Sequence, residues 1–518
     1  MNNEPLIEHS DFSSTLQDGA GEAERLGKRS PLVTFLDLSI GPTISQLVFN
    51  VYTIVNQYWI SRALGEPGLQ VISSMFLYDM LTFAFYNLFL ISTSTHISYL
   101  CGASRFSEIS QVVVDLLRFS VIIGAGFAAV IIPTTKLIVK FLTGDDGIAF
   151  KAFVYMAIQA GGSVISFFYY TICGLLEGEG RAWLFSMVQF ATLVLDMLVF
   201  LPIFLFVFHW GVWSAALSGL LAQFVPLVVM WIMLMRGKLS IMIRGPQFTA
   251  KFSKETWKAL NTGTASFILN FSEAFPHIYL QKFVYTVAEH NGIKDVVMSM
   301  WSTMTRLYMF SLSILAALDS GFLPPASYAY GEKKYSRIKA LLFHMSWISF
   351  IWAVINAVGI SLFPRQIFSL FTKDKDVLNF LPNTIWRIWA TLPLYLIHEQ
   401  VISYLQAVDR PHRATIVSVL TMAIPIPTIS TIIYYTKKDD IHWMFNTYLF
   451  EDVGTSLIAL SGAATTLWQM WRLKDGKTFQ GEETKEGDAA SKQLESYQSV
   501  PSSVLDIPSL MEPTTSNT

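Results

Sequence analysis

Charge is scarce in this chain. Only 14% of its 518 residues are Asp, Glu, Lys or Arg, against about 25% in an ordinary soluble domain, and a soluble fold needs more polar surface than that. A basic excess is missing too. The net charge of -2 leaves no electrostatic footprint for nucleic acid. Cysteine is reduced to Cys101 and Cys173, both at or inside apolar segments, so a disulfide framework is not indicated and no metal-ligand spacing appears. The nine His are scattered without the clustering a metal-dependent enzyme needs. No G-x-x-x-x-G-K-[ST] loop is present, so ATP is not expected to drive the protein directly. The polar stretch 1–30 lacks the short apolar core and small-residue site of a cleaved signal peptide.

What is abundant is apolar sequence: 52% of residues, with a mean hydropathy of +0.44. A membrane-spanning helix needs about 20 mainly apolar residues, because backbone polar groups must be satisfied internally in lipid. Such stretches fall at 32–62, 69–100, 108–142, 148–176, 182–208 and 211–236, then at 259–287, 293–330, 336–371, 378–407, 412–436 and 441–471. Alternate loops differ in Lys and Arg. One set, with Arg105, Arg181, Lys258, Lys333 and Arg410 among its members, holds about twice as many as the other. That bias puts both termini in the cytoplasm. The expected organisation is a disordered N-terminal tail at 1–31, a six-helix lobe at 32–236, a basic linker at 237–258, a second six-helix lobe at 259–471 and a disordered C-terminal tail at 472–518. The last of these is polar, with too few apolar residues to offset ordering entropy. Tyr497-Gln-Ser-Val500 has the form of a tyrosine-based sorting signal, and Glu4-Pro-Leu6-Ile7 loosely suggests a dileucine one.

The two halves resemble each other. Tyr99-Leu-Cys-Gly102 parallels Tyr328-Ala-Tyr-Gly331, Leu142-Thr-Gly-Asp145 parallels Phe371-Thr-Lys-Asp374, and Leu176-Glu-Gly-Glu-Gly-Arg181 parallels Leu405-Gln-Ala-Val-Asp-Arg410. Each pair is 229 residues apart. Six spans per half is an even number, so the halves share orientation, and their pseudo-symmetry axis should run along the membrane normal with the substrate path between them.

These landmarks resemble the multidrug and toxic compound extrusion (MATE) family, in a eukaryotic form, over residues 32–470. The features that carry the resemblance are Pro42 with Val55-Asn56 and Ala63-Leu-Gly-Glu66, Gly102-Ala103, Leu176 to Arg181, Gly211-Val-Trp-Ser-Ala215-Ala216, Gly263 followed by Glu273, and Gly321-Phe322 with Gly331. The resemblance implies an all-α membrane protein of twelve helices in two pseudo-symmetric six-helix lobes forming a V. It also implies export of organic cations or drugs against a proton or sodium gradient, with no cofactor beyond that coupling ion.

Ionisable residues within spans cost about 2.5–3.5 kcal/mol at the bilayer centre, so each is a functional candidate. Glu273 in span 7, Glu399 in span 10 and Asp196 in span 5 are the expected ion-coupling carboxylates. Glu273 has the spacing of the family's membrane acid, and His277 lies one turn on along the same face. The family acid of span 10 falls at Tyr395 here, so Glu399 is displaced by a turn. Asn56 and Gln57 stand where many members carry an aspartate, which shifts the emphasis to the second lobe. Asp79 is a further candidate, to be satisfied by Tyr78 or a neighbouring helix. Tyr52 and Tyr308 offer rings for cation–π contact with a flat organic cation. Asp115 and Arg118 are spaced for a local pair. Asp319 reads as orienting the helix at Gly321, and Arg306 and Arg387 as neutralising Glu399 or Asp319 or favouring an anionic substrate. The expected partners are a small molecule, an organic cation foremost, and the lipid bilayer, for a monomer in the plasma or an endosomal or vacuolar membrane. Two alternatives stay open: a lipid or glycolipid-precursor flippase, and a membrane receptor or enzyme.

Overall fold

The computed structural model describes residues 23–143, 145–237, 239, 243, 245–369, 375–437 and 440–476. Both tail motifs lie outside them. Among the described residues, helices occupy each of the twelve expected stretches: α1 (Pro31–Gly65), α2 (Phe76–Gly102), α3 (Phe106–Thr143), α4 (Asp146–Gly161 and Ser163–Gly178), α5 (Ala182–Val207), α6 (Trp213–Met235), α7 (Lys254–His290), α8 (Lys294–Gly331), α9 (Tyr335–Leu362), α10 (Leu392–Ala407), α11 (Pro411–Lys437) and α12 (Ile441–Arg472). By length and composition alone seven can cross a membrane, or eight if the two parts of α4, bent by 45°, count as one. The helices that fall short carry polar residues inside the protein. On α2 these are Ser92, Thr93, Ser94, Thr95, His96 and Ser98, all buried. Elsewhere the outer surface is apolar, with Phe141, Val130 and Tyr435 among many large exposed side chains. That is the inverse of a water-soluble surface and suits lipid.

The repeat read from sequence is reproduced in the backbone. Ser104 and Lys333, 229 residues apart, both have φ 58°, and Gly180 and Asp409 have φ 70° and 53°. Each left-handed residue ends a helix in the same way. The N–H of Arg105 bonds to the carbonyl of Leu100 and that of Lys334 to Ala329, as Arg181 does to Leu176 and Arg410 to Leu405, all at 2.8–2.9 Å. These six-to-one closures satisfy the orphan carbonyls of the last turn.

The two halves meet where these turns lie, on the face rich in Lys and Arg, here the basic face. A Cβ on Gly102 would collide with the carbonyl of Tyr328, and one on Gly331 with the carbonyl of Tyr99. Further in, Gly263 of α7 sits against Leu88 and Ser92 of α2, and Gly321 of α8 against Ser39 of α1. Small residues let backbones approach closely, which is how helices associate without a hydrophobic drive between them. Phe35, Ile91, Leu318 and Phe322 then fill the seam. Toward the other face the cores separate. One large apolar cluster runs from Leu280 to Tyr448 within the second half, and another around Val71, Phe127 and Met156 lies in the first. The result is a V with its apex on the basic face.

A bulky residue at the apex should pry it open. Gly331→Val must displace the Tyr99 backbone, an overpacking cost of about 1–3 kcal/mol on the closed arrangement. Cys101, only 2% exposed beside this contact, should then react with a membrane-permeant maleimide roughly tenfold faster than in the wild type. An unchanged labelling rate would contradict the apex described here.

Candidate functional site

The cleft side of the first half holds a connected polar network. On α1, Asn56 Nδ2 donates to the Tyr52 hydroxyl at 2.8 Å, and that hydroxyl donates to Asp196 Oδ2 at 2.5 Å. Asp196 is 3% exposed and is the second residue of a π-helical turn, Leu195–Phe200, within α5. Such widened turns break the ordinary hydrogen-bond ladder and recur at functional sites. Tyr155 of α4 lies within electrostatic reach of both Asp196 and Asp79, joining the two acids into one neighbourhood. Asp79 accepts from Gln159 Nε2 at 3.2 Å, so a neighbouring helix satisfies it, as the sequence suggested. Asn56 belongs to this network while Gln57 is exposed. The absent aspartate on α1 therefore leaves the first half with an acid centre, supplied by α5.

In the second half, Tyr395 donates to Glu399 at 3.2 Å, with His398 Nε2 3.6 Å from the same carboxylate. Ser403 donates to Asp319 at 3.2 Å, and Asp319 lies within electrostatic reach of Glu399. Asp319 thus joins an acid cluster, where the sequence suggested only a structural role. Glu399 keeps 21% of its side chain accessible. The Glu273 side chain lies outside the described residues, although its backbone is part of α7. His277 stacks on Tyr448, and Tyr308 packs edge-on against both Tyr448 and Trp389. Tyr308 is 4% exposed, which corrects its assignment as a cation–π surface: its ring is already enclosed by aromatic neighbours. Arg387 donates to Asn446 and the Asn383 carbonyl, with its guanidinium over Trp386, and Arg306 is exposed. Neither is paired with Glu399 or Asp319 among the described residues. The break before α10 holds Arg387 more than two turns away from Glu399 along the chain.

Sequence reasoning missed two groups. Glu451 and Asp452 of α12 are 5% and 1% exposed. The rule that flagged Asp196, an acid inside an apolar run, would have found them. The other is a clasp across the apex. Glu255, on the first turn of α7, meets His96 of α2 at 3.1 Å, Arg105 at 3.2 Å and Lys258 at 2.9 Å. Its partners come from distant segments, so no local spacing announces it. The expected Asp115–Arg118 pair forms at 3.1 Å and does more than pair locally. Asp115 also accepts from the Ser253 N–H and the Thr256 hydroxyl, fastening the start of α7 to α3. Among the described residues, no three His, Cys, Asp or Glu side chains converge as a metal site.

A family model, MatE, matches residues 43–201 and 283–430, more than half of the chain. The chain belongs to the MatE family. It is therefore a membrane transporter and not an enzyme. Among curated relatives it is 23% identical over 424 residues to the multidrug export protein MepA of Staphylococcus aureus (strain MSSA476), covering 78% of this chain and 87% of that protein. It is 21% identical over 396 residues to MepA of Staphylococcus haemolyticus, covering 76% and 85%. These relatives are bacterial and lend the expected eukaryotic origin no support. Among solved structures, the outward-facing conformation of a multidrug resistance MATE transporter of the MOP superfamily aligns with a TM-score of 0.79 at 19% identity, covering 87% of this chain and 99% of that one. A MOP superfamily transporter from Pyrococcus furiosus aligns at 0.78 with 21% identity, covering 88% and 99%. The MATE fold of two matched lobes is thereby established.

In this MATE protein the clasp carries a definite pH signature. Burial works against the charge of Glu255, but hydrogen bonds from His96 and Lys258 and their positive charges outweigh it and hold the carboxyl well below the usual range. A depressed carboxyl contributes fully above its free value of about 4.3 and progressively less as pH falls toward the folded value. Glu255→Gln should therefore melt below the wild type at pH 6–8, with the gap narrowing only under about pH 4. A gap that closes near neutral pH would rule out Glu255 as its source.

Proposed function

We propose that the protein is a secondary antiporter that exports organic cations, drugs or metabolites in exchange for protons or sodium by alternating access. The observation that carries this reading is the bond between Asp196 and Tyr52, because it ties a nearly inaccessible carboxylate to the first helix. That helix contains Pro42, whose missing N–H weakens the ladder there and permits bending. Neutralising Asp196 with a proton or a cation removes the charge that holds the Tyr52 hydroxyl, so ion occupancy and the posture of α1 become linked. In the second lobe, Glu273 and Glu399 take the same part. Loading them weakens substrate binding on one side of the membrane, and unloading restores it on the other. The multidrug export proteins among the relatives support drug-like substrates, and the excess of buried acids over buried Lys and Arg among the described residues supports a positive charge on them.

With the basic face in the cytoplasm, both termini are cytoplasmic and the cleft opens outward, in the plasma membrane or an endosomal or vacuolar one. The units that rock are residues 32–236 and 259–471, in a single monomeric chain. The test is flux of a fluorescent organic cation in sealed vesicles under an imposed proton or sodium gradient. Asp196→Asn, Glu273→Gln and Glu399→Gln retain shape, and the first two should each lower gradient-driven export by about tenfold or more, a loss of about 1.4 kcal/mol of coupling. Undiminished export by both Asp196→Asn and Glu273→Gln would sink the reading.

A further inference from the structure

The basic linker between the lobes takes no part in the function proposed above. It and its borders carry Arg236, Lys238, Arg244, Lys251, Lys254 and Lys258 against a single acid, Glu255. That acid is 6% exposed and already meets His96, Arg105 and Lys258. Like charges gathered on one segment repel, so for the fold alone this excess is a cost. The segment is nevertheless fastened in place. Gln247 Nε2 donates to the Ser110 hydroxyl, Arg118 to the Ala250 carbonyl and the Ser253 N–H to Asp115, each at 2.8 Å. These bonds pin the lead-in of α7 along α3.

What they hold outward is a corner both cationic and aromatic. Lys254, Trp257 and Lys258 are spaced i, i+3 and i+4, so they share one face of the first turn of α7. Lys251 comes three residues before them, and all four are exposed, Trp257 by 57%. The Trp257 ring is set edge-on against Phe119 of α3 with centroids 5.2 Å apart, and Phe119 packs on Phe252. Lys258 is shared with Glu255, whereas Lys251 and Lys254 are in no ion pair among the described residues. The acids nearest in the chain, Asp115 and Glu255, are both committed to partners. Immediately beyond begins the apolar run 259–287. The corner therefore stands at headgroup level, where Trp is favoured and Lys meets lipid phosphate.

We propose that Lys251, Lys254 and Trp257 form a site for the headgroup of one anionic phospholipid in the leaflet on the basic face. The two ammonium groups donate to phosphate oxygens, and the indole lies at the boundary between headgroup and acyl chain. A zwitterionic headgroup brings its own cation and forfeits most of the attraction, so the site selects by net charge. A bound headgroup also offsets the repulsion among the lysines beside the Glu255 clasp. The inference is independent of what the protein exports.

The experiment is native mass spectrometry of the purified full-length protein in detergent, titrated separately with phosphatidylglycerol, phosphatidylcholine and inorganic phosphate. The tightest phosphatidylglycerol should bind about tenfold more strongly than phosphatidylcholine. Lys251→Gln/Lys254→Gln should remove that preference and leave one fewer lipid on each protein at the same concentration. Lys251→Arg/Lys254→Arg keeps both charges and should keep the lipid. So should Lys136→Gln, which removes an exposed cation from the far end of α3. Trp257→Leu should weaken both lipids, because it removes the anchor and leaves the charge. A phosphatidylglycerol retained in full by the glutamine variant overturns the proposal. Equal binding of the two lipids by the wild type does so as well, and that comparison needs no variant to fold. Inorganic phosphate bound as tightly as the lipid is equally fatal, since the acyl boundary would then contribute nothing.

Discussion

The contact on which the rest depends is the approach of two backbone turns with no side chain between them. Gly102 rests on Tyr328 and Gly331 on Tyr99, and the next layer inward repeats the device with Gly263 against Ser92 and Gly321 against Ser39. In lipid the hydrophobic effect supplies no force to hold two helices together, so close packing and hydrogen bonds must do it. An apex built this way is tight yet carries little interlocking bulk. Its polar reinforcement at the rim joins a buried pair, Glu255 and His96, to the partly exposed Arg105. The turn Ala23–Lys28 crosses the same rim. Arg25 donates to the Glu179 carbonyl in one lobe, while Arg337 of the other donates to the carbonyls of Leu26 and Arg29. A seal of many modest contacts, each reversible, is what an alternating structure requires.

The halves share a scaffold but not a chemistry. Applying the 229-residue offset that superimposes their turns, Asp79 falls opposite Tyr308, Glu399 opposite Tyr170, and Asp452 opposite Gln223. The matched positions face the interior in both lobes, since Gln223 accepts from Ser166 and Tyr170 stacks on Tyr86 with ring centroids 4.3 Å apart. These three acids are thus answered by a neutral hydrogen-bonding group in the other lobe, whereas Asp196 falls opposite Pro425 and Asp319 opposite Leu90. Two coincident acids facing the same cleft would repel, and the desolvation cost of each would rise with the other. Placing them at unmatched heights separates the charges while keeping each within its own bundle.

Much of this was legible in the residues. Twelve apolar stretches, the 229-residue repeat and the Gly102 and Gly331 turns follow from helix length in lipid and from local turn chemistry, both of which are short-range. Asp196 was visible for the same reason, an acid with apolar residues a turn to either side. Its partner was not. Tyr52 lies 144 residues away, and nothing in its own neighbourhood marks it as a carboxylate donor rather than one more ring. Glu255 escaped notice because it stands in a basic linker where an acid looks solvated. Asp319 read as a cap because Gly321 follows it, whereas its hydroxyl partner, Ser403, comes from another helix. Pairings set by tertiary approach leave no periodicity to read.

The irregular helices explain where the acids ended up. An unbroken α-helix consumes its own backbone groups and presents lipid or neighbours with side chains alone. This fold interrupts that pattern repeatedly inside its lobes. Asp196 lies in the π-helical turn of α5, α11 contains a similar turn at Val419–Ala423, α4 bends at Gly162, and α10 starts only after the break at Thr391. Interruptions are costly unless neighbouring helices take up the freed groups. Here Trp59 of α1 donates to the Met197 carbonyl within the widened turn of α5, and at the α4 bend the Ser163 hydroxyl donates across to the Gly124 carbonyl of α3. Every such repair ties one helix to the irregularity of another, so a change at an acid on a broken helix is felt by the helix that mends it. That coupling is local, built from hydrogen bonds of ordinary length, and it requires no long-range pathway between ion and cleft.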